Sequence, residues 1–247
     1  MKPHEPTTST KRRRERNGAW FFDCDGVLLD SNSIKTNAFR EVTAAYGADV
    51  AEQVVRHHLA NGGLSRFAKL QRLFHEILMR VPAPGELEDL LDSFSAESRA
   101  GLARSAVDEH APGLLQLLGS SADLHVISGG AEDEVRWALE RHGLDTFFRG
   151  IFGSPASKRE ILEVLLRSDP FPRVLVGDSR LDMDVAGECE VHRVFVTHWT
   201  EFKGWRDYVE ERPDIVVVDD LGHLLRLLRG DEAHDLAPQQ RWILSAL

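Results

Sequence analysis

At 247 residues and 42% hydrophobic content, the chain can bury a substantial core in one domain or two. Its net charge of −10 argues against a nucleic-acid partner, and no apolar run is long enough to make a membrane span. Two cysteines, Cys24 and Cys189, suit a reducing compartment, taken here as the cytoplasm, rather than a disulfide framework.

Residues 1–18 are polar, carry Pro3, Pro6 and the basic run Lys11 to Arg14, and read as a disordered, solvated tail with no signal-peptide core. Ala19 to Phe22 then reads as a buried strand, and Gly26 lets the backbone turn sharply after it. Between them stand Asp23-Cys24-Asp25, and alternation points both acids the same way, past the strand's carboxyl end. Two unpaired acids in such a crevice need a cation or a shared proton. A hard divalent ion such as Mg²⁺ supplies the first, and general acid–base work the second. An ordinary turn or a calcium loop also uses Asp-x-Asp-Gly. Cys24, on the opposite side of the alternation, is assigned to packing.

From Ser31 to about Pro112 the pattern is helical throughout. Ala38, Phe39, Val42, Ala45 and Tyr46 share one face, and Phe67, Leu70, Leu73, Phe74, Ile77 and Leu78 another. Lys35 follows Ser31 by one helical turn and is placed pointing back toward the acids. The stretch His57 to Arg66 joins two helical patterns through the pair Gly62-Gly63. Arg66 and Lys69 follow it as cations for an anionic or polyol substrate, or as solvated charges on a plain turn. His57 and His58 are read as surface residues.

Leu124 to Ile127 reads as the next strand, ending in Ser128-Gly129-Gly130 before a helix whose first turn is acidic. That end can offer a hydroxyl and free N–H groups to an anion, or be a simple Ser cap. Ser157 is placed to cap the following helix, with Lys158 in its first turn against the helix dipole. Such a lysine is tolerable if it faces carboxylates or a phosphate. Val174 to Val176 forms a further strand ending in Gly177-Asp178, with Asp182 one helical turn on. Capping by Asp178 is the plainer account of the first acid. Val194 to Val196 and Ile215 to Val218 complete the strands. Strands alternating with helices predict an α/β fold, a doubly wound parallel sheet covered on both faces. An amphipathic helix over Leu221 to Leu228 closes it, followed by a polar break, Asp231 to Asp235. The apolar end Trp242, Ile243, Leu244 and Leu247 suits docking on its own domain or on a second subunit of a homodimer.

Taken together, Asp23-Cys24-Asp25-Gly26-Val27-Leu28-Leu29-Asp30-Ser31, Ser128, Lys158, and Gly177-Asp178 through Asp182 resemble the four motifs of the haloacid dehalogenase superfamily. The likeness is to its Mg²⁺-dependent phosphatase and phosphomutase branch, that of the phosphoglycolate phosphatases and β-phosphoglucomutases, and runs from about Trp20 to about Asp220. It implies a Rossmann-like core (19–31 and 113–230) with an inserted helical cap (32–112) and a C-terminal extension (231–247). It also implies that Asp23 attacks phosphorus to form a phospho-aspartate, while Asp25 protonates the leaving alcohol and then activates water. Mg²⁺ would rest on Asp23, the backbone carbonyl of Asp25 and Asp178, with Asp182 in support. Ser128 and the amide of Gly129 would grip phosphate oxygens, and Lys158 would balance charge. Lys35 and Arg66 would face the substrate. The dehalogenase members lack an acid at the place of Asp25. The chain departs from the branch where sugar mutases commonly carry His at the place of Lys35, and where phosphoglycolate phosphatases carry a Ser-Asn pair at Gly129-Gly130. The expected activity is phosphomonoester hydrolysis of a small phosphorylated metabolite, a sugar phosphate or organic-acid phosphate. The alternatives are a sugar phosphomutase and, from a different class, a non-catalytic binding module.

Overall fold

The computed structural model describes residues 18–167, 172–231, 234 and 236–245. Apart from Gly18, the expected basic tail lies outside the described residues, as do most of the polar break and Leu247.

The first strand, β1 (Ala19–Phe22), is fully buried along its length. Alternation sends Trp20 and Phe22 into one hydrophobic core and Ala19 and Phe21 into another, one on each face of a sheet. A strand covered on both faces has no polar side to show, which is why it reads as an unbroken apolar run. Truncating fully buried Phe21 to Ala would cost about 3–5 kcal/mol.

Four helices follow: α1 (Asn32–Thr43), α2 (Ala48–Ala60), α3 (Arg66–Arg72), whose last turns widen over Leu73–Ile77, and α4 (Glu86–Leu102). Phe39, Val54, Leu70, Leu73, Phe74 and Phe94 build a third core among them, separate from the two that flank the sheet. Ala45 and Phe67, grouped by periodicity with the inward faces, are exposed instead, Phe67 by 48%. The chain leaves and re-enters this helical layer side by side: Asp30 donates to the Ala106 carbonyl at 2.9 Å and Asp108 to the Leu28 carbonyl at 3.1 Å.

After α5 (Ala111–Gly119) come β2 (Asp123–Ala131), α6 (Glu132–Arg141), β3 (Gly150–Ser154), α7 (Lys158–Leu165) and β4 (Arg173–Gly177). Then follow α8 (Arg180–Glu188), β5 (His192–Val196), α9 (Trp205–Glu210), β6 (Val216–Val218) and α10 (Leu221–Arg229). The six strands form one parallel sheet in the order β3-β2-β1-β4-β5-β6. Winding reverses between β1 and β4, and the crevice at their carboxyl ends is where such sheets bind ligands. The apolar end of the chain folds back: Ile243 is fully buried in the core with Leu236, and Trp242 stacks on His192 at 4.1 Å. Its own domain covers these residues.

Candidate functional site

The site grows from the carboxyl ends of β1 and β4. The Asp23 amide still donates to Val176 at 2.9 Å, so the ladder delivers its carboxylate beside that of Asp178. Gly26 then turns with φ +78, and a Cβ there would stand 2.2 Å from Asn32 Nδ2 and 2.3 Å from Asp178 Oδ2. Only glycine permits both the turn and the approach.

Asp23, Asp178 and Asp182 are buried, with ligand atoms within 4.8 Å of one another. Lys158 Nζ lies 2.7 Å from Asp23 Oδ2 and 2.5 Å from Asp182 Oδ1. Ser157 caps α7 in a capping box with Glu160 and sets Lys158 in the first turn. Burial alone would lower the lysine's pKa, but Asp182 and Asp23 outweigh it and raise it. At the start of α8 the cap is Ser179 rather than Asp178, because Asp182 completes a capping box with it. Ser179 donates to Asp182 Oδ2 through its amide at 3.1 Å and its hydroxyl at 2.6 Å. Both Asp182 oxygens are therefore engaged. Asp178 Oδ2 accepts from Asn32 Nδ2 at 2.7 Å, and the same amide group donates to the Trp199 carbonyl at 2.8 Å.

Three buried carboxylates against one lysine leave negative charge uncompensated. Burial raises the Asp23 pKa to about 7, with Lys158 opposing and the neighbouring acids adding to it. Burial, Asp23 and Asp182 push Asp178 up as well. All-oxygen donors with surplus negative charge fit a hard divalent cation such as Mg²⁺. Asp23 and Asp178 face the cavity and could hold it, while Asp182 anchors Lys158.

Asp25 lines the same cavity. Its Oδ1 accepts from the Ser31 hydroxyl at 2.5 Å and lies 3.8 Å from Lys35 Nζ. Ser128 is fully buried, and its Oγ accepts from the Gly130 amide at 3.0 Å. The expected Ser-capped helix is absent here: the strand register shifts after Ile127, β2 runs on to Ala131, and α6 opens at Glu132 without a side-chain cap. Gly129 and Gly130 thus line the cavity as strand and bulge backbone.

The turn between α2 and α3 seals the opposite wall. A Cβ on Gly129 would fall 2.1 Å from the Gly63 carbonyl oxygen, so the two backbones lie in direct contact. Arg66 grips Glu134 on α6, Nη1 to Oε2 at 2.9 Å and Nη2 to Oε1 at 2.5 Å, and lies over the Phe94 ring. Lys35 Nζ reaches the same carboxylate at 2.6 Å. Two of the three cations expected to face substrate, Lys35 and Arg66, are therefore already paired with Glu134, an acid that sequence reasoning assigned only to a helix's first turn. Asn32 was missed as well; its one signal is an amide beside the Asp-Ser pair that ends the first motif. His58 is buried rather than on the surface: its Nδ1 lies 2.7 Å from Lys69 Nζ. Burial lowers Lys69 to about 7, Asp25 partly opposing.

A family model described as haloacid dehalogenase-like hydrolase matches residues 20–196. No curated protein matches the chain. Among solved structures, a haloacid dehalogenase-like family hydrolase from Streptococcus pneumoniae superposes with TM-score 0.62 at 21% identity, over 85% of this chain and 98% of that one. A β-phosphoglucomutase from Clostridium difficile gives TM-score 0.70 at 16% identity, over 92% and 99%. A HAD-hydrolase from Bacillus subtilis, solved bound to magnesium, gives 0.61 at 18%, over 87% and 99%. These likenesses establish a shared fold.

Proposed function

The chain belongs to the haloacid dehalogenase-like hydrolases, and on that footing we propose that it is a Mg²⁺-dependent phosphatase of a small phosphorylated metabolite. The observation that carries this reading is Asp23 held at 2.7 Å by Lys158 and beside Asp178, with a second acid, Asp25, in the same cavity.

Asp23, Asp178 and the backbone carbonyl of Asp25 would hold the ion. Bound there, Mg²⁺ supplies positive charge that lets a phosphoryl group approach a carboxylate. Lys158 adds a fixed cation on the other side of Asp23 and keeps that carboxylate oriented. Asp23 forms a bond to phosphorus as the ester bond to the leaving alcohol breaks, and Asp25 gives that alcohol its proton. Asp25 then takes a proton from the water that attacks the phospho-aspartate, and inorganic phosphate departs. Ser128 and the Gly129 amide orient phosphate oxygens. With the cap turn resting on Gly129, bulk water is kept from the intermediate. Such a reaction asks for positioning and charge neutralisation above all.

The test is phosphate release from a panel of sugar and carboxylate phosphates, with Mg²⁺ or with EDTA, and Asp23→Asn as control. Metal-dependent release that disappears in the control is expected. No release from any monoester, together with bisphosphate-stimulated isomerisation of a sugar phosphate, would replace the phosphatase by a mutase.

A further inference from the structure

The cavity is polar in a directed way. Its sheet end carries Asp23, Asp25 and Asp178, and its helical end carries three cations, Lys35, Arg66 and Lys69, all three more than nine-tenths buried. Glu134 answers the first two of these cations. Among the described residues, Lys69 has no carboxylate within ion-pair distance. Its contacts are the His58 ring nitrogen at 2.7 Å and the face of Phe39 at 5.5 Å. Both are neutral, since burial and then Lys69 itself hold His58 down to about 2. An ammonium taken out of water normally meets an opposite charge, and a ring face replaces only part of it.

His58 has a matching deficiency. With Nδ1 accepting from Lys69, the ring proton sits on Nε2, which is buried and lacks a hydrogen-bond partner. The nearest acid oxygen, on Glu201, is 4.0 Å away, and that carboxylate accepts instead from Thr36 Oγ1 at 2.7 Å. Side by side in the cavity that holds Asp23, Lys69 therefore lacks a counter-charge and the His58 Nε2–H lacks an acceptor.

Resting on the phosphatase reading above, we infer that Lys69, with His58 beside it, receives a second anionic group of the substrate, carried on the leaving group. A carboxylate or a further phosphate meets this chemistry. A neutral polyol does not, because it brings no charge to set against the ammonium. Lys69 is then the specificity-determining residue, and Arg66, held by Glu134, serves to fix α3 against α6.

The experiment measures kcat/KM on pairs of monoesters that differ in one anionic group, in wild type, Lys69→Met and Lys69→Arg. The pairs are phosphoglycolate against hydroxyethyl phosphate, phosphogluconate against glucose phosphate, and a hexose bisphosphate against its monophosphate. Wild type should favour the anionic member of at least one pair by about tenfold or more. Lys69→Met should lose about tenfold more on that member than on its neutral partner, mainly through KM, and Lys69→Arg should keep most of the preference. Whether the carboxylate pairs or the bisphosphate pair respond identifies the anion. No preference in wild type, or equal losses on both members in Lys69→Met, would overturn the inference. Methionine keeps the side chain's length without its charge, and a melting curve checks that the variant folds. Calorimetric titration of the same pairs into Asp23→Asn, with and without Lys69→Met, separates the two readings. Anion-selective binding that depends on Lys69 in a protein whose parent shows no turnover would keep the anion site and overturn the phosphatase. Turnover without selectivity would do the reverse, and neither turnover nor selective binding would overturn both.

Discussion

Asp23→Asn should make the metal-free protein more stable, although it removes the proposed nucleophile. The Asp23 carboxyl is raised from 3.8 to about 7, chiefly by burial. The folded state therefore holds the Asp23 proton more tightly than the unfolded chain does. Its contribution to stability is fully present below 3.8 and is lost as pH rises through about 7. That gap is worth roughly 4 kcal/mol against the folded state above neutrality. An amide at the same place carries no charge to desolvate, and Lys158 retains Asp182 at 2.5 Å. Urea unfolding followed by circular dichroism, in EDTA at about pH 8, should show the variant ahead by roughly 4 kcal/mol, narrowing to roughly 1 kcal/mol near pH 4.5. Added Mg²⁺ should stabilise wild type and close the gap from the other side. A variant no more stable than wild type at the higher pH, or a gap independent of pH, would refute the charge argument.

Asp25→Asn should lower kcat/KM, which reports steps up to leaving-group departure, by about 10²–10⁴-fold on alkyl phosphates but far less on an activated aryl phosphate, whose leaving group needs no proton. Equal losses in the two assays would remove the acid–base role. Asn32→Ala deletes the donor that holds Asp178 at 2.7 Å, and should raise the Mg²⁺ concentration for half-maximal rate about 10–100-fold. Gly129→Ala would set a methyl group 2.1 Å from the Gly63 carbonyl; because backbone must give way, both kcat/KM in steady-state kinetics and the melting temperature should fall. Glu134→Ala leaves Arg66 and Lys35 buried without their shared carboxylate, and should cost about 3–5 kcal/mol in urea unfolding.

The sheet was legible because its strands are covered on both faces and so read as apolar runs, those at Asp23 and Gly177-Asp178 ended by an acid or by glycine and an acid. β3 was passed over: Gly150 and Gly153 interrupt its short span, and it lies at the sheet's edge. That Asp23, Lys158 and Asp178 lie near strand ends or a helix start followed from local pattern, since each is positioned by its own strand or capping residue. Local pattern also misread details in the same places. Asp178 suited an N-cap, but Ser179 with Asp182 three residues on makes the stronger box. Ser128 suited another, but the strand continues through a bulge.

Residues of the helical end were legible as charges but not as partners. Arg66 and Glu134 are 68 positions apart, and Lys35 and Glu134 are 99 apart. Nothing in either neighbourhood says that the two segments meet. What brings them together is the contact of Gly63 with Gly129, which no side chain could occupy. Once that contact forms, Glu134 must lose its water, and two cations against one buried carboxylate are what make its burial tolerable. The same closure strips water from Lys69, for which the described residues provide no equivalent charge. The helical layer thus satisfies its own contacts with the sheet through Arg66 and Lys35, and leaves one cation over, beside the acids that do the proposed chemistry.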